Sequence, residues 1–231
     1  MVIIRQHLVN PAVAIKVTAG HKNTRNKVCI HETDNTKTGS GADNHARLQA
    51  NGNSRQASWH WSVDDKEAIQ SFTHDYQCWA AGSTQGNNEG IHVEICVNMD
   101  GDYVRSVQNT AALVAKILKD EKLTINDVVQ HNYYSGKNCP SKMRSTSAPI
   151  PWGSFLQMVK TNMQHTESKN IVEKEDDIMK FTSSTTKEAV RDFIKQSVDK
   201  GEIVKSWLDK FDQGTMTTGD FEGLKIIISQ R

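Results

Sequence analysis

Apolar residues in the first two-thirds of the chain fall into short runs of period two and then change to helical spacing. Ile91-His92-Val93-Glu94-Ile95-Cys96-Val97 alternates without a break. That pattern predicts a strand with Ile91, Val93, Ile95 and Val97 on one face and His92, Glu94 and Cys96 on the other. One face belongs to a core; the other looks at solvent or into a cleft. Trp59 to Val63 repeats the pattern, with Trp59, Trp61 and Val63 on one side and His60 and Ser62 opposite, and Lys27 to His31 is a shorter β-branched run. From Asn109 the period changes. Leu113, Val114, Ile117 and Leu118 mark one helix face as far as Lys122, with lysines and acids filling the other. Residues 39–56, rich in Gly, Asn, Ser, Gln and Ala, are expected to form loops around a substrate groove rather than a polar helix. The fold class is therefore α/β, a mixed central sheet flanked by helices.

An amphipathic stretch from Trp152 to Met163 leads into a polar, charged run that reads as a linker. The expected organisation is a first domain over 1–165, a linker over 166–178 and a small helical module over 179–231. In that module Thr185 and Glu188 form a candidate capping box, Ala189, Val190, Phe193, Ile194 and Val198 mark one face, and Gly201 ends the helix. Ile203, Val204, Trp207, Leu208 and Phe211 form a second apolar stripe; Phe221, Leu224, Ile227 and Ile228 form a third. A unit of about fifty residues buries only a limited core, so it is expected to gain stability by docking or by forming a homo-oligomer.

Charge narrows the function. With 28 Lys+Arg against 27 Asp+Glu, the chain has no electrostatic footprint for nucleic acid. Cys29, Cys78, Cys96 and Cys139 are irregularly spaced in a chain too large to need stapling, and no disulfide framework is expected. Cys29 and Cys96 read as small buried hydrophobes. No run approaches the ~18 consecutive apolar residues of a membrane span, and the first residues lack the pattern of a secretory signal. The expectation is a protein made in the cytoplasm with no membrane partner.

Two distant segments carry the chemistry. Val28-Cys29-Ile30-His31-Glu32-Thr33 and Gln130-His131 through Gly136-Lys137-Asn138-Cys139-Pro140 offer two imidazoles and a thiol. Three protein ligands on zinc leave a fourth position for water or substrate, which points to a hydrolase rather than a structural site. Any one of nine histidines is by itself an ordinary surface or core residue. Cys139, eight residues beyond His131 in a loop able to fold back, strengthens the metal reading. Glu94 on the open strand face is a candidate proton carrier, with Glu89 in turn-like surroundings as its rival. His60 and His92 either line the groove or hold the far nitrogen of a ligating histidine. Trp79 either stacks on a sugar or closes the core.

Five ordered segments make the pattern specific: Cys29-Ile30-His31-Glu32-Thr33, Ser58-Trp59-His60-Trp61-Ser62-Val63-Asp64-Asp65, Cys78-Trp79-Ala80-Ala81-Gly82, Ile91-His92-Val93-Glu94-Ile95-Cys96, and His131 to Pro140. Over about residues 1–165 the chain resembles the type 2 N-acetylmuramoyl-L-alanine amidases, zinc enzymes akin to peptidoglycan recognition proteins, and looks like a phage endolysin of a Gram-positive host. The resemblance implies that His31, His131 and Cys139 bind Zn2+, that Glu94 is the acid/base carboxylate, and that Lys137 assists at the oxyanion. Many relatives have Trp-His-Ala-Gly where this chain has Trp79-Ala80-Ala81-Gly82, which removes a polar group near the groove but no zinc ligand. The implied substrate is bacterial peptidoglycan, cut between N-acetylmuramic acid and L-alanine after the membrane has been permeabilised. Alternatives are a non-catalytic peptidoglycan-binding module and a bacterial autolysin or prophage amidase. The cysteine, carboxylate and lysine together favour the enzyme.

By position, the C-terminal module is expected to hold a secondary wall polymer, or otherwise to serve only in dimerisation. Lys174-Glu175-Asp176 is encodable as a ribosome-binding sequence in front of Met179. That arrangement raises a further expectation, a second translation start yielding a free 179–231 fragment that assembles with the full chain.

Overall fold

The computed structural model describes residues 2–177 and 179–230, with the side chains of 165–177 outside the description. The chain divides into two compact units, Met1–Gln164 and His165–Arg231. In the first unit the elements follow as β1 (Ile3–Gln6), α1 (Pro11–Val17), β2 (Lys27–Glu32), α2 (Ala42–Ala50), β3 (Trp61–Val63), β4 (Glu67–Gln70), α3 (Thr84–Glu89), β5 (Gly90–Ile95) and α4 (Tyr103–Asp120). A 3-10 turn (Ile125–Asp127), β6 (Val128–Gln130), α5 (His131–Ser135), α6 (Ser141–Arg144) and α7 (Trp152–Asp177), which begins in this unit, complete the series.

The six strands form one mixed sheet in the order β1-β4-β3-β5-β2-β6. Every neighbouring pair is parallel except β3 and β4, which are antiparallel. Asp64 makes that hairpin and reaches beyond it: Oδ1 accepts the N–H groups of Lys66 and Glu67 at 2.8 and 2.9 Å, while Oδ2 accepts Ala42 N–H at the start of α2.

Alternation along the central strands sorts the side chains as their sequence predicts. Val28 and Ile30 of β2, Trp61 and Val63 of β3, and Ile91, Val93 and Ile95 of β5 join Val107, Ala111, Val114 and Leu118 of α4 and Phe155 and Val159 of α7 in one core. Cys29, His31, His92 and Glu94 take the opposite face. That face is covered too, as parallel central strands require.

Some expectations are corrected. Helix α4 starts at Tyr103, six residues before the periodicity becomes clear, because Asp102 caps it by accepting Arg105 N–H at 3.0 Å. Within 39–56 the chain forms helix α2, whose buried positions Ala42, His45, Ala46 and Gln49 keep helical spacing but are small or polar and so give no apolar signal. Trp59 does not share a face with Trp61 and Val63. It precedes β3, so period two does not reach it, and it lines the cleft described below. The expected linker follows a helical backbone as far as Asp177, in a stretch with no Gly or Pro after Gly153 and many straight-chain helix formers. Ile178 lies outside the described residues.

In the second unit α8 (Ser184–Asp199), α9 (Ser206–Asp212) and α10 (Thr218–Ser229) surround Ile194, Ile203, Phe211, Met216 and Leu224. Ser183, rather than a Thr185/Glu188 box, caps α8 by accepting Thr186 N–H at 3.1 Å; a capping box does form between Thr217 and Asp220 on α10. Gly201 ends α8 with a φ of 73°, open to glycine at no steric cost. Ala189, Phe193, Val204 and Ile227, expected on the buried stripes, are exposed. Val204 diverges from Ile203 because both precede the first turn of α9. Met179 opens the module with its N–H donating to Met216 O at 2.9 Å.

Candidate metal centre and active-site cleft

Three neighbouring parallel strands bring the candidate residues together at their carboxyl ends, where ligands gather in open α/β sheets. His31 and Glu94 are penultimate on β2 and β5 and are register partners; His131 is the residue immediately after β6. Cys139 comes from the loop between α5 and α6. Gly136 ends α5 with a φ of 71°, which turns the chain back. Asn132 then holds the loop from both sides, its N–H donating to Cys139 O at 3.1 Å and its Nδ2 to Lys137 O at 2.9 Å.

The Nδ1 atoms of His31 and His131 face each other at 3.0 Å. One donor atom each from His31, His131 and Cys139 lies within 4.8 Å of the other two, and all three residues are buried. Two ring nitrogens so placed need a proton or a cation between their lone pairs. Two imidazoles with a thiol suit zinc in particular, so these residues fit the ion. The far nitrogen of His31, Nε2, lies 3.1 Å from His92 Nδ1, the partner that fixes a ligating ring. Cys29, His31 and His92 also group closely. Neither Cys29 nor His92 lines the cleft, so this second grouping offers no open position for substrate.

Burial depresses the pKa of His31 and of His131, with His92 adding to the effect on the first and Lys137 on the second. Both shifts favour the neutral ring, the form that can act as a ligand. Burial pushes the Cys139 thiol up to about 12, against the pull of the Glu32 N–H, so a thiolate there requires a cation beside it.

His31, His131 and Cys139 line a cleft of about 390 Å³ together with Glu94, Lys137, Trp59 and Trp79. Glu94 Oε2 is shut off from solvent and has no hydrogen-bond partner among the described residues. Burial raises the Glu94 carboxyl to about 8, with Lys137 pulling it down. Lys137 itself is exposed at the cleft. Trp79 is pinned by Ser58, whose Oγ accepts Trp79 N–H at 2.9 Å, and Ala80 lines the cleft beside it. Trp59 donates its indole N–H to Ser62 at 2.8 Å and packs edge-on to His45.

The rival carboxylate is elsewhere: Glu89 accepts Tyr134 O–H at 3.0 Å and does not line the cleft. His60 is wholly buried away from it, accepting His92 N–H on Nδ1 at 2.9 Å and donating from Nε2 to Tyr76 O at 3.0 Å. Sequence reasoning missed His45, Asn53 and Arg55 in the cleft wall. Their only signal was the polar segment read as groove loops.

An α/β sheet with imidazoles, a thiol and a carboxylate gathered at its carboxyl edge has the form of a hydrolase domain. The pattern of the N-acetylmuramoyl-L-alanine amidase family matches residues 21–142, and the chain belongs to this family. N-acetylmuramoyl-L-alanine amidase CwlH of Bacillus subtilis (strain 168) is 36% identical over 138 residues, covering 58% of this chain and 53% of CwlH. XlyA of the same organism is 36% identical over 138 residues, covering 59% of this chain and 44% of XlyA. The chain thus spans about half the length of the curated relatives it matches. The catalytic domain of XlyA superposes with a TM-score of 0.62 at 32% identity, covering 68% of this chain and 99% of that domain. A mutant endolysin from Bacillus subtilis superposes with a TM-score of 0.63, also at 32% identity, covering 69% and 99%.

Proposed function

We propose that this chain is a zinc-dependent endolysin that hydrolyses the amide between the muramic acid lactyl group and L-alanine of peptidoglycan. The observation that carries the reading is the convergence of the His31–His131–Cys139 donor set with the unpartnered Glu94 oxygen in one cleft. An amide is a poor electrophile with a poor leaving group. Zinc held by the three donors supplies Lewis acidity toward the carbonyl and lowers the pKa of water.

The chain's own residues do the rest. Glu94 Oε2 has no competing hydrogen bond, so in its ionised form the carboxylate can take the proton of the attacking water and return it to the departing amine. Lys137 adds positive charge where the oxyanion develops. His92 keeps the His31 ring in its ligating orientation. Trp59 and Trp79 give the cleft apolar walls.

The second unit is proposed to hold the enzyme on a secondary wall polymer after the host membrane has been opened, raising its concentration at the substrate. A homo-oligomer, or a complex with a fragment started at Met179, would cover side chains left exposed there, such as Val204 at 65% and Ile226 at 58%. A Met179→Leu chain that yields the small fragment as abundantly excludes that start.

Mass spectrometry of digested Gram-positive peptidoglycan tests the reading. Release of L-alanine amino termini, abolished by a chelator and restored by zinc, is the expected result. Glu94→Ala is expected to keep its zinc and lose about 10²–10⁴-fold in turnover. Intact peptidoglycan bound by the zinc-loaded parent would instead make the chain a recognition module.

A further inference from the structure

Glu32 follows His31 on β2, and strand alternation turns its side chain away from the cleft. It is 5% exposed. Its carboxylate accepts hydrogen bonds from Tyr103 O–H at 2.6 Å, Ser141 O–H at 3.2 Å, Lys142 N–H at 2.7 Å and Met143 N–H at 3.3 Å. The last three donors belong to α6, which begins two residues after Cys139. The main-chain N–H of Glu32 meanwhile points at Cys139 Sγ, 3.5 Å away. One residue therefore grips the segment after the thiol with its side chain and the thiol with its backbone, while its chain neighbour is the first imidazole.

We propose that Glu32 is a positioning residue for the metal centre. It fixes the loop carrying Cys139 to the strand carrying His31, and so sets the thiol-to-imidazole separation on which ion affinity depends. The inference rests on the metal reading above. Tyr103 anchors the same carboxylate to the first turn of α4, so the thiol loop, β2 and α4 meet at one side chain. Among the described residues no Lys or Arg forms an ion pair with Glu32. The carboxylate is spent on directed hydrogen bonds from the loop rather than on a charge partner that would hold it elsewhere.

Glu32→Gln preserves size but turns an NH₂ group toward donors that need an acceptor. The measurement is a competition titration of zinc into the full chain against a chromophoric chelator, with the thiolate-to-metal band of the cobalt-loaded protein as a second readout. Zinc affinity is expected to fall about 10–100-fold and the thiolate band to weaken, as supporting partners of metal ligands typically show. In a Cys139→Ala background the same change is expected to cost less than about twofold, because Glu32 acts through the thiol. Thermal unfolding of the metal-free proteins shows whether Glu32→Gln still folds. If it does not, Tyr103→Phe and Ser141→Ala each remove one donor and are expected to give smaller losses that also vanish without Cys139.

A purely structural tether would lower affinity equally with and without Cys139, and that result would overturn the proposal. So would a folded Glu32→Gln chain that binds zinc within about twofold of the parent. A parent chain that takes up no zinc overturns the metal reading itself, and the proposal with it.

Discussion

His60 is expected to make the metal-free protein sensitive to mild acid. The ring has no exposure, and both nitrogens are committed: Nδ1 accepts His92 N–H and Nε2 donates to Tyr76 O. Protonation would set a second N–H against the N–H of His92 and bury an unpaired charge. Burial, and then the neighbouring His92 and His74, hold its pKa well below the usual imidazole value. The sign follows from proton counting. Below about pH 6.5 the unfolded chain binds a proton that the folded chain refuses, so stability is intact above that value and falls as pH drops. The slope approaches about 1.4 kcal/mol per pH unit, giving about 2 kcal/mol between pH 7.5 and 5.0. His60→Gln keeps a donor for Tyr76 O and removes the titration, at a neutral-pH cost of about 1–3 kcal/mol for the orphaned His92 N–H. Urea unfolding with chelator present, followed by tryptophan fluorescence, reports mainly on the first unit, which holds Trp59, Trp61, Trp79 and Trp152, four of the five tryptophans; Trp207 lies in the second. Between the two pH values the parent is expected to lose about 2 kcal/mol more than the variant. Equal losses would show that His60 titrates alike in the folded and unfolded chain.

Other consequences of the site are open to test. Cys139→Ser is expected to lower zinc occupancy and activity together, measured by metal analysis beside turnover. Lys137→Ala is expected to reduce kcat by about 10²-fold. Because Lys137 draws the Glu94 carboxyl down, its removal is expected to move the acid limb of the pH–rate profile to higher pH. Phe211, 4% exposed and edge-on to Phe181, anchors the second unit. Phe211→Ala is expected to cost that unit about 3–5 kcal/mol and abolish retention on cell walls, with turnover of a soluble muropeptide unchanged.

The parts of this fold that were legible in the sequence are those where apolar alternation and chemistry coincide. Ile91 to Ile95 announced both a central strand and the direction of Glu94, and the second imidazole and thiol were close enough in sequence to be read as one loop. Helix α2 was illegible because it buries Ala42, His45, Ala46 and Gln49, a face with helical spacing but no apolar contrast. Trp59 departs from the apparent alternation because it precedes β3, outside the reach of the strand's period of two. The role of Glu32 was hidden for another reason: its four donors come from Tyr103 and from 141–143, and no local pattern reports a contact made so far along the chain.

The strand order also governs when the site comes into being. Strand β2 is early in the chain, yet its two sheet neighbours are β5 and β6, which come much later. His31 waits for His92 across 61 positions and for His131 across 100. A chain emerging from the ribosome therefore presents His31 on an unpaired strand with nothing to share an ion, and the donor set closes only when residues past Cys139 are free to fold. Long-range closure of this kind is slow. On the proposed function, it would tie capture of the ion to the completion of the sheet.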